Sequence, residues 1–360
     1  MTTHSPLLSR PGAVEAANAD AGVASHYGEP LREQRALAAG TAVVDLSHRG
    51  VVTVSGPDRL SWLNTLSSQQ VTDLTPGESS ELLLLTVQGR IEFDARVVDD
   101  GGTTWLIVEA AEAGPLAEWL NKMKFMLRVE IEDVSEAWAV IGSTKPVEEW
   151  SGLLSWRDPW PHVGAGGYAY SVVEEDRHPG LDRPWIEYLV PAAELEQTVA
   201  DRPLAGVLAA EALRVAAWRP RLGSETDDKT LPHELDLLRT AVHLSKGCYK
   251  GQETIARVHN LGHPPRRLVF LQLDGSQHTM PVPGSEVLLG ERKVGVVTSV
   301  AQHYEMGPVA LAVIKRSVSP DETLTVMDGE EPYTAAQEVI VAPDAGQVVA
   351  RPTGFLRGTH

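Results

Sequence analysis

Lys246-Gly247-Cys248-Tyr249-Lys250-Gly251-Gln252-Glu253 is the most informative stretch of the chain. It holds the only cysteine, set among two glycines and two lysines. Nearby cations stabilise a thiolate and make the sulfur a better nucleophile or metal ligand. The glycines let backbone approach a partner closely. The competing reading is a small buried hydrophobe, the usual state of a free cysteine. Lysine, glutamine and glutamate are poor core material, which favours the reactive reading. One thiol makes no internal disulfide and no four-thiolate zinc or iron–sulfur site. Around it the segment from Arg219 to Gly262 reads as a long polar loop, and such loops are usually functional. His233, His243, His259 and His263 lie within it or at its end but lack zinc-site spacing. Arg214, Arg219 and Arg221 stand at its start. Guanidinium forks bind carboxylates in pairs and could hold an anionic ligand tail; a salt-bridged surface loop is the alternative.

Moving outward, Pro264-Pro265 marks a boundary. Short apolar runs at 268–273, 286–289, 294–300, 309–314 and 324–327 predict a small β-barrel. On the other side, runs at 43–44, 51–54, 82–87, 93–98, 104–109, 137–141 and 185–190 predict strands. Leu116, Trp119, Leu120 and Met123 recur at helical spacing, as do Leu204, Val207, Leu208, Ala212 and Val215. This divides the chain into a loose arm (1–25), a central α+β region (26–265), the barrel (266–342) and a tail (343–360).

The chain has 360 residues, with 31 Lys and Arg against 49 Asp and Glu, a formal charge of −18. That balance argues against nucleic-acid binding, which needs a basic face. No apolar run approaches the ~20 residues of a membrane span. The first 25 residues carry Glu15 and Asp20 and no apolar signal core, so a cytoplasmic location is expected.

Two carboxylates are candidates for chemistry. Glu187 shares a strand face with Trp185 and Leu189, and could accept N–H bonds from a pterin or purine edge; an edge strand in water is the alternative. Asp94 lies opposite the apolar face of Phe93, Ala95 and Val97, beside Arg96. It is either half of an exposed ion pair or a carboxylate placed beside a reacting amine.

The octapeptide at 246–253 closely resembles the signature of the YgfZ-type folate-binding proteins, a branch of the glycine-cleavage T-protein (aminomethyltransferase) superfamily. His26-Tyr27-Gly28, Asp45-Leu46-Ser47-His48-Arg49, Val87-Gln88-Gly89-Arg90-Ile91, Leu213-Arg214-Val215, Pro220-Arg221-Leu222-Gly223, Thr230-Leu231-Pro232-His233-Glu234 and Gly295-Val296-Val297-Thr298-Ser299 resemble further family segments in the right order. The resemblance implies an α+β, three-lobed aminomethyltransferase-like fold with a C-terminal barrel, and tetrahydrofolate (or a folate derivative) in a central opening. It implies catalytic roles for Cys248, Lys246 and Asp94, with Glu92 as the alternative to Asp94. It implies folate contacts from Glu187, Arg214, Asp94, Tyr249 and Gln252, and no metal site. The Gly-Tyr-Thr-Gly-Glu stretch of the aminomethyltransferases is not reproduced around His178 to Pro184, and those enzymes lack the cysteine signature. Both departures favour the YgfZ branch, which resembles accessory factors for iron–sulfur enzymes, tRNA-modifying ones included. The implied partners are folate and iron–sulfur client or assembly proteins. A folate-dependent aminomethyltransferase and a non-catalytic folate-binding module are the alternatives, so enzymatic activity stays open.

Overall fold

Alternation of apolar and polar side chains builds the strand Ile91–Asp99. Phe93, Ala95 and Val97 pack beneath the helices Arg59–Leu66 and Ala113–Met123. Glu92, Asp94 and Arg96 face the other way. In the computed structural model, which describes residues 4–277 and 279–346, this strand belongs to an antiparallel five-stranded sheet. The sheet's order is Ser79–Leu85, Ile91–Asp99, Thr103–Val108, Gly50–Ser55, Glu130–Asp133. A second sheet runs Ser155–Arg157, Ile186–Pro191, Trp138–Ser143, Val43–Asp45, Leu204–Ala205. The whole first sheet is inserted between Val43–Asp45 and Trp138–Ser143, so the two lobes interleave in sequence.

The third lobe is a closed six-stranded barrel. Its interior is filled by Val269, Leu271, Val287, Val297, Ala312, Ile314 and Val326. Five strands fall where the apolar runs predict them. The sixth, Glu331–Val339, pairs with Arg266–Leu273 and removes the open edges. Its Glu, Thr and Gln residues hide it from a hydrophobicity reading. The helix Val207–Ala216 packs against the helix Pro30–Ala38 and the barrel strand Arg292–His303, joining the lobes.

Three expectations need correction. The arm is not loose over its described length. Leu7 is fully buried against Val43, Ile141 and Tyr188, Val23 is buried as well, and Val14–Glu15 pairs with Ala24–His26. Two apolar anchors suffice, although Ala, Ser and Gly dominate the segment. The region 219–262 is not all loop: Gln252–Leu261 is a helix, entered through Gly251 at φ +88°. Residues 343–346 continue a segment docked on the central region, where Val341 bridges Ser171 and the Ala342 amide donates to the Tyr170 carbonyl. The rest of the expected tail lies outside the described residues. Among the described residues no helix is long and apolar enough to cross a membrane.

Candidate functional site

Glu187 sits opposite Gly142 on the neighbouring strand, inside the second sheet rather than at its edge. It is 1% exposed. A Cβ at position 142 would lie 2.5 Å from the Trp185 ring, so glycine there lets the indole lie flat over the backbone. Trp185 Nε1 then donates to Glu187 Oε1 at 3.0 Å. The Arg183 guanidinium covers the indole at 4.1 Å, a cation–π arrangement, and Arg96 Nε stands 3.5 Å from Glu187 Oε1. Glu187 Oε2 is buried with no hydrogen-bond partner among the described residues.

These groups line a cavity of about 20 Å³, room for about one water. Six arginines, 49, 96, 183, 214, 219 and 221, face four carboxylates, Asp20, Asp158, Glu187 and Glu211, around it. In a chain of charge −18 this is a concentrated basic site. Buried polar groups are normally paired, and exceptions mark strain or missing partners. Here Arg49 Nε, Arg183 Nε and Arg219 Nη1 are orphaned together with Glu187 Oε2. Side chains with unsatisfied donors and an unsatisfied acceptor thus line one cavity, which suits a polar heterocycle. A pterin edge fits this donor set; the closed volume does not admit its ring. The cavity abuts an open cleft of about 930 Å³, with His48, Arg49 and Arg221 common to both. That size is typical of a small-molecule site.

Asp94 stands beside this cavity, on the same strand face as Arg96. Burial, reinforced by the neighbouring Glu81 charge, pushes its carboxyl up to about 7 against the pull of Arg219 and Arg96. Its Oδ1 is also orphaned. Arg219 donates to Glu81 at 2.5 Å and to Asp158 at 3.2 Å, so Asp94 competes for a guanidinium already engaged. A half-protonated carboxyl near neutrality is suited to exchanging a proton with an amine.

Arg214 also reaches the cavity, but its donors are spent. It bonds Glu211, Glu225, the Arg219 carbonyl and Ser299 of the barrel. It braces the site and ties the barrel to it.

The cysteine loop lies elsewhere. Cys248 is exposed and lines none of the three principal cavities. Lys250 pairs with Glu92 at 3.2 Å, at one end of the Ile91–Asp99 strand, whereas Arg96 meets Glu187 at the other. Four residues of strand span ~13 Å. The cysteine loop therefore meets this strand, through Lys250, ~13 Å along from the residue that meets Glu187. Lys246 donates to the carbonyls of Asn64, Ser67 and Gln69 at 2.5, 2.8 and 2.7 Å, and burial lowers its ammonium to about 8. Both lysines have partners other than the sulfur. Tyr249 is packed in the core, its hydroxyl pushed up to about 12 by burial, and Gln252 braces the loop through the Lys246 carbonyl. Neither lines the cavity. Of the histidines, His233 bonds the Ile255 carbonyl, His259 the Tyr170 hydroxyl and His263 the Ala345 carbonyl. Among the described residues no three His, Cys, Asp or Glu converge as metal ligands.

Sequence reasoning missed Asp20, Arg49, Arg183 and Asp158 as site residues. For Arg183 and Asp158 the signal available was arginine near tryptophan and aspartate in a stretch with little periodicity; for Arg49 it was the family-like segment at 45–49, and Asp20 carried none.

Two family descriptions match the chain: the GCVT N-terminal domain over residues 15–144 and the glycine cleavage T-protein C-terminal barrel domain over 266–341. A chloroplastic protein of Arabidopsis thaliana, provisionally named a transferase, is 26% identical over 323 residues, covering 83% of this chain and 72% of its own length. The aminomethyltransferase of Streptomyces avermitilis is 25% identical, covering 88% of this chain and 90% of its own. The crystal structure of the glycine cleavage system aminomethyltransferase T from Bartonella henselae superposes with a TM-score of 0.72 at 20% identity, over 95% of this chain and 97% of that one. Both end domains, the barrel and the three-lobed architecture agree: the chain belongs to the aminomethyltransferase-like superfamily of the glycine-cleavage T-protein.

Proposed function

We propose that this chain binds a reduced folate at the Glu187 site, entered from the adjoining cleft, and acts, in the manner of the YgfZ branch, as an accessory protein for iron–sulfur enzymes. The observation that carries the folate reading is Glu187: a buried carboxylate, fixed by an indole donor, with one oxygen left free among orphaned guanidinium donors. Such an oxygen accepts an N–H group of a pterin edge, and the arginines suit carboxylates of a folate tail. Bound folate would supply a one-carbon carrier; the chain's own residues bind it and exclude water. Cys248 supports the accessory role because it is exposed on a loop anchored on either side by Lys246 and Tyr249. One thiol cannot hold a cluster alone, so any cluster contact is shared with a client protein or a second copy.

Titration calorimetry with tetrahydrofolate tests the first half. Glu187→Gln should weaken binding at least tenfold, and equal binding by both proteins overturns the folate reading. Complementation of a deletion strain tests the second half. Cys248→Ala should fail to restore iron–sulfur enzyme activity, and full rescue removes the thiol from the function.

A second reading, a folate-dependent aminomethyltransferase, is favoured by one observation: the orphaned Asp94 carboxyl, held near 7. In that case Asp94→Asn abolishes turnover while Cys248→Ala spares it. A purely folate-binding module would tolerate both.

A further inference from the structure

We propose that Asp20, carried by the N-terminal arm, latches the inner cavity shut, and that a carboxylate of the incoming ligand opens it by taking Asp20's place on Arg221 and His48. The proposal rests on the reduced-folate reading and concerns how that ligand enters. The inner cavity holds about 20 Å³, the adjoining cleft about 930 Å³. No pterin fits the former, although its acceptor and donors are there. Asp20 lines the inner cavity, while its neighbours Asn18, Ala19 and Ala21 line the cleft, so this loop is the partition between them.

Charge fastens the partition. Asp20 Oδ1 accepts from Arg221 Nη2 at 2.7 Å and stands 3.0 Å from His48 Nε2. Burial alone would raise its carboxyl, but His48 and Arg221 hold it far below the usual carboxylate range. Little packing assists. Residues 17–19 are exposed, and the loop spans the gap between Val14–Glu15 and Ala24–His26. Segments with few apolar contacts occupy the low-stability end of a fold. Arg221 has carboxylate partners independent of the arm, Glu109 at 2.7 Å and Glu211 at 3.4 Å. Asp20 is therefore an added third anion on a guanidinium that two others already serve. Opening the loop unaided removes one charge-assisted contact from Arg221, which keeps Glu109 and Glu211, and takes the neighbouring carboxylate from His48; opening it against a ligand carboxylate restores both contacts. The partition thus discriminates for ligands that carry an anionic tail.

Titration calorimetry of wild type and Asp20→Asn with two probes tests this: tetrahydrofolate, which carries glutamyl carboxylates, and 6-methyltetrahydropterin, which carries none. The variant should bind the pterin at least tenfold more tightly than wild type does, because opening no longer breaks the Asp20 contacts. Its affinity for tetrahydrofolate should rise by a similar factor, because the cost of opening is borne by the free protein and is common to both ligands. Equal pterin affinity in the two proteins overturns the latch while leaving the folate reading intact. If neither probe binds either protein, the folate reading falls and the latch with it. Hydrogen exchange on the wild-type protein gives an independent readout. Amides of residues 16–22 should exchange faster in the tetrahydrofolate complex than in the free protein, and slower or unchanged exchange overturns the proposal.

Discussion

Glu187 and Asp94 lie around one cation-rich cavity, yet their surroundings give them different work. Glu187 has an indole donor and the nearby Arg96 guanidinium; Asp94 has Glu81 as a near neighbour and an orphaned oxygen. Because the folded pKa of Asp94 lies above its unfolded value, the native state holds that proton more tightly. The resulting stabilisation is complete below about pH 4 and is lost as pH rises through about 7. Relative to wild type, the unfolding free energy of Asp94→Asn should therefore rise by on the order of 3 kcal/mol between pH 5 and pH 8.5. Parallel urea titrations at the two pH values check this, and identical pH dependence removes the titration from Asp94. Both carboxylates were legible as candidates because strand alternation sets each on a defined face. Their surroundings were not legible: Asp158, Arg183 and Asp20 come from segments without periodicity, and only tertiary packing brings them together.

The cysteine loop shows how a recognisable element can be misread in detail. Flanking ammonium groups suggest an activated thiol, but Lys246 is turned inward to close the end of the helix Arg59–Leu66 and the turn after it. A cation at a helix C-terminus complements the dipole and satisfies carbonyls the helix leaves open. Lys246→Met should cost about 3 kcal/mol, since three buried acceptors lose a charged donor. Cys248→Ala, at an exposed position, should stay within about 0.5 kcal/mol of wild type. Chemical denaturation of the pair separates anchor from displayed group. The platform under Glu187 makes a second element-scale case. Gly142→Ala forces the Trp185 ring off the backbone, because its Cβ would also meet Val44 at 2.8 Å. The variant should lose tetrahydrofolate affinity severalfold although residue 142 is not itself a polar contact; unchanged affinity in calorimetry means that the indole does not position Glu187. The sequence shows the glycine and the tryptophan 43 positions apart, and only the register of two strands makes them a unit.

At the scale of the molecule, the barrel contributes to the site through one polar knot. Arg214 of the central helix donates to Ser299 at 2.7 Å, and Glu225 accepts from Thr298, Ser299, Arg214 and the Arg221 amide. Each partner is needed by the next. A buried pair broken on one side typically costs 3–5 kcal/mol, because the remaining charge is stranded. Ser299→Ala removes only one hydroxyl that bridges Arg214 and Glu225, and should cost about 1 kcal/mol. Arg214→Met leaves Glu225 without its guanidinium and should cost about 4 kcal/mol. The barrel has its own interior, yet its outer face shares a second buried cluster with the central region, where Leu268, Phe270 and Leu311 pack with Val215, Trp218 and Leu238. That shared apolar layer keeps the lobes coupled when the knot is cut. Arg214→Met should therefore still unfold in one calorimetric transition, at a lower temperature than wild type, and tetrahydrofolate should shift that transition as a whole. Two separate transitions, only one of them raised by ligand, would mean that the knot rather than the apolar layer couples the barrel to the lobes.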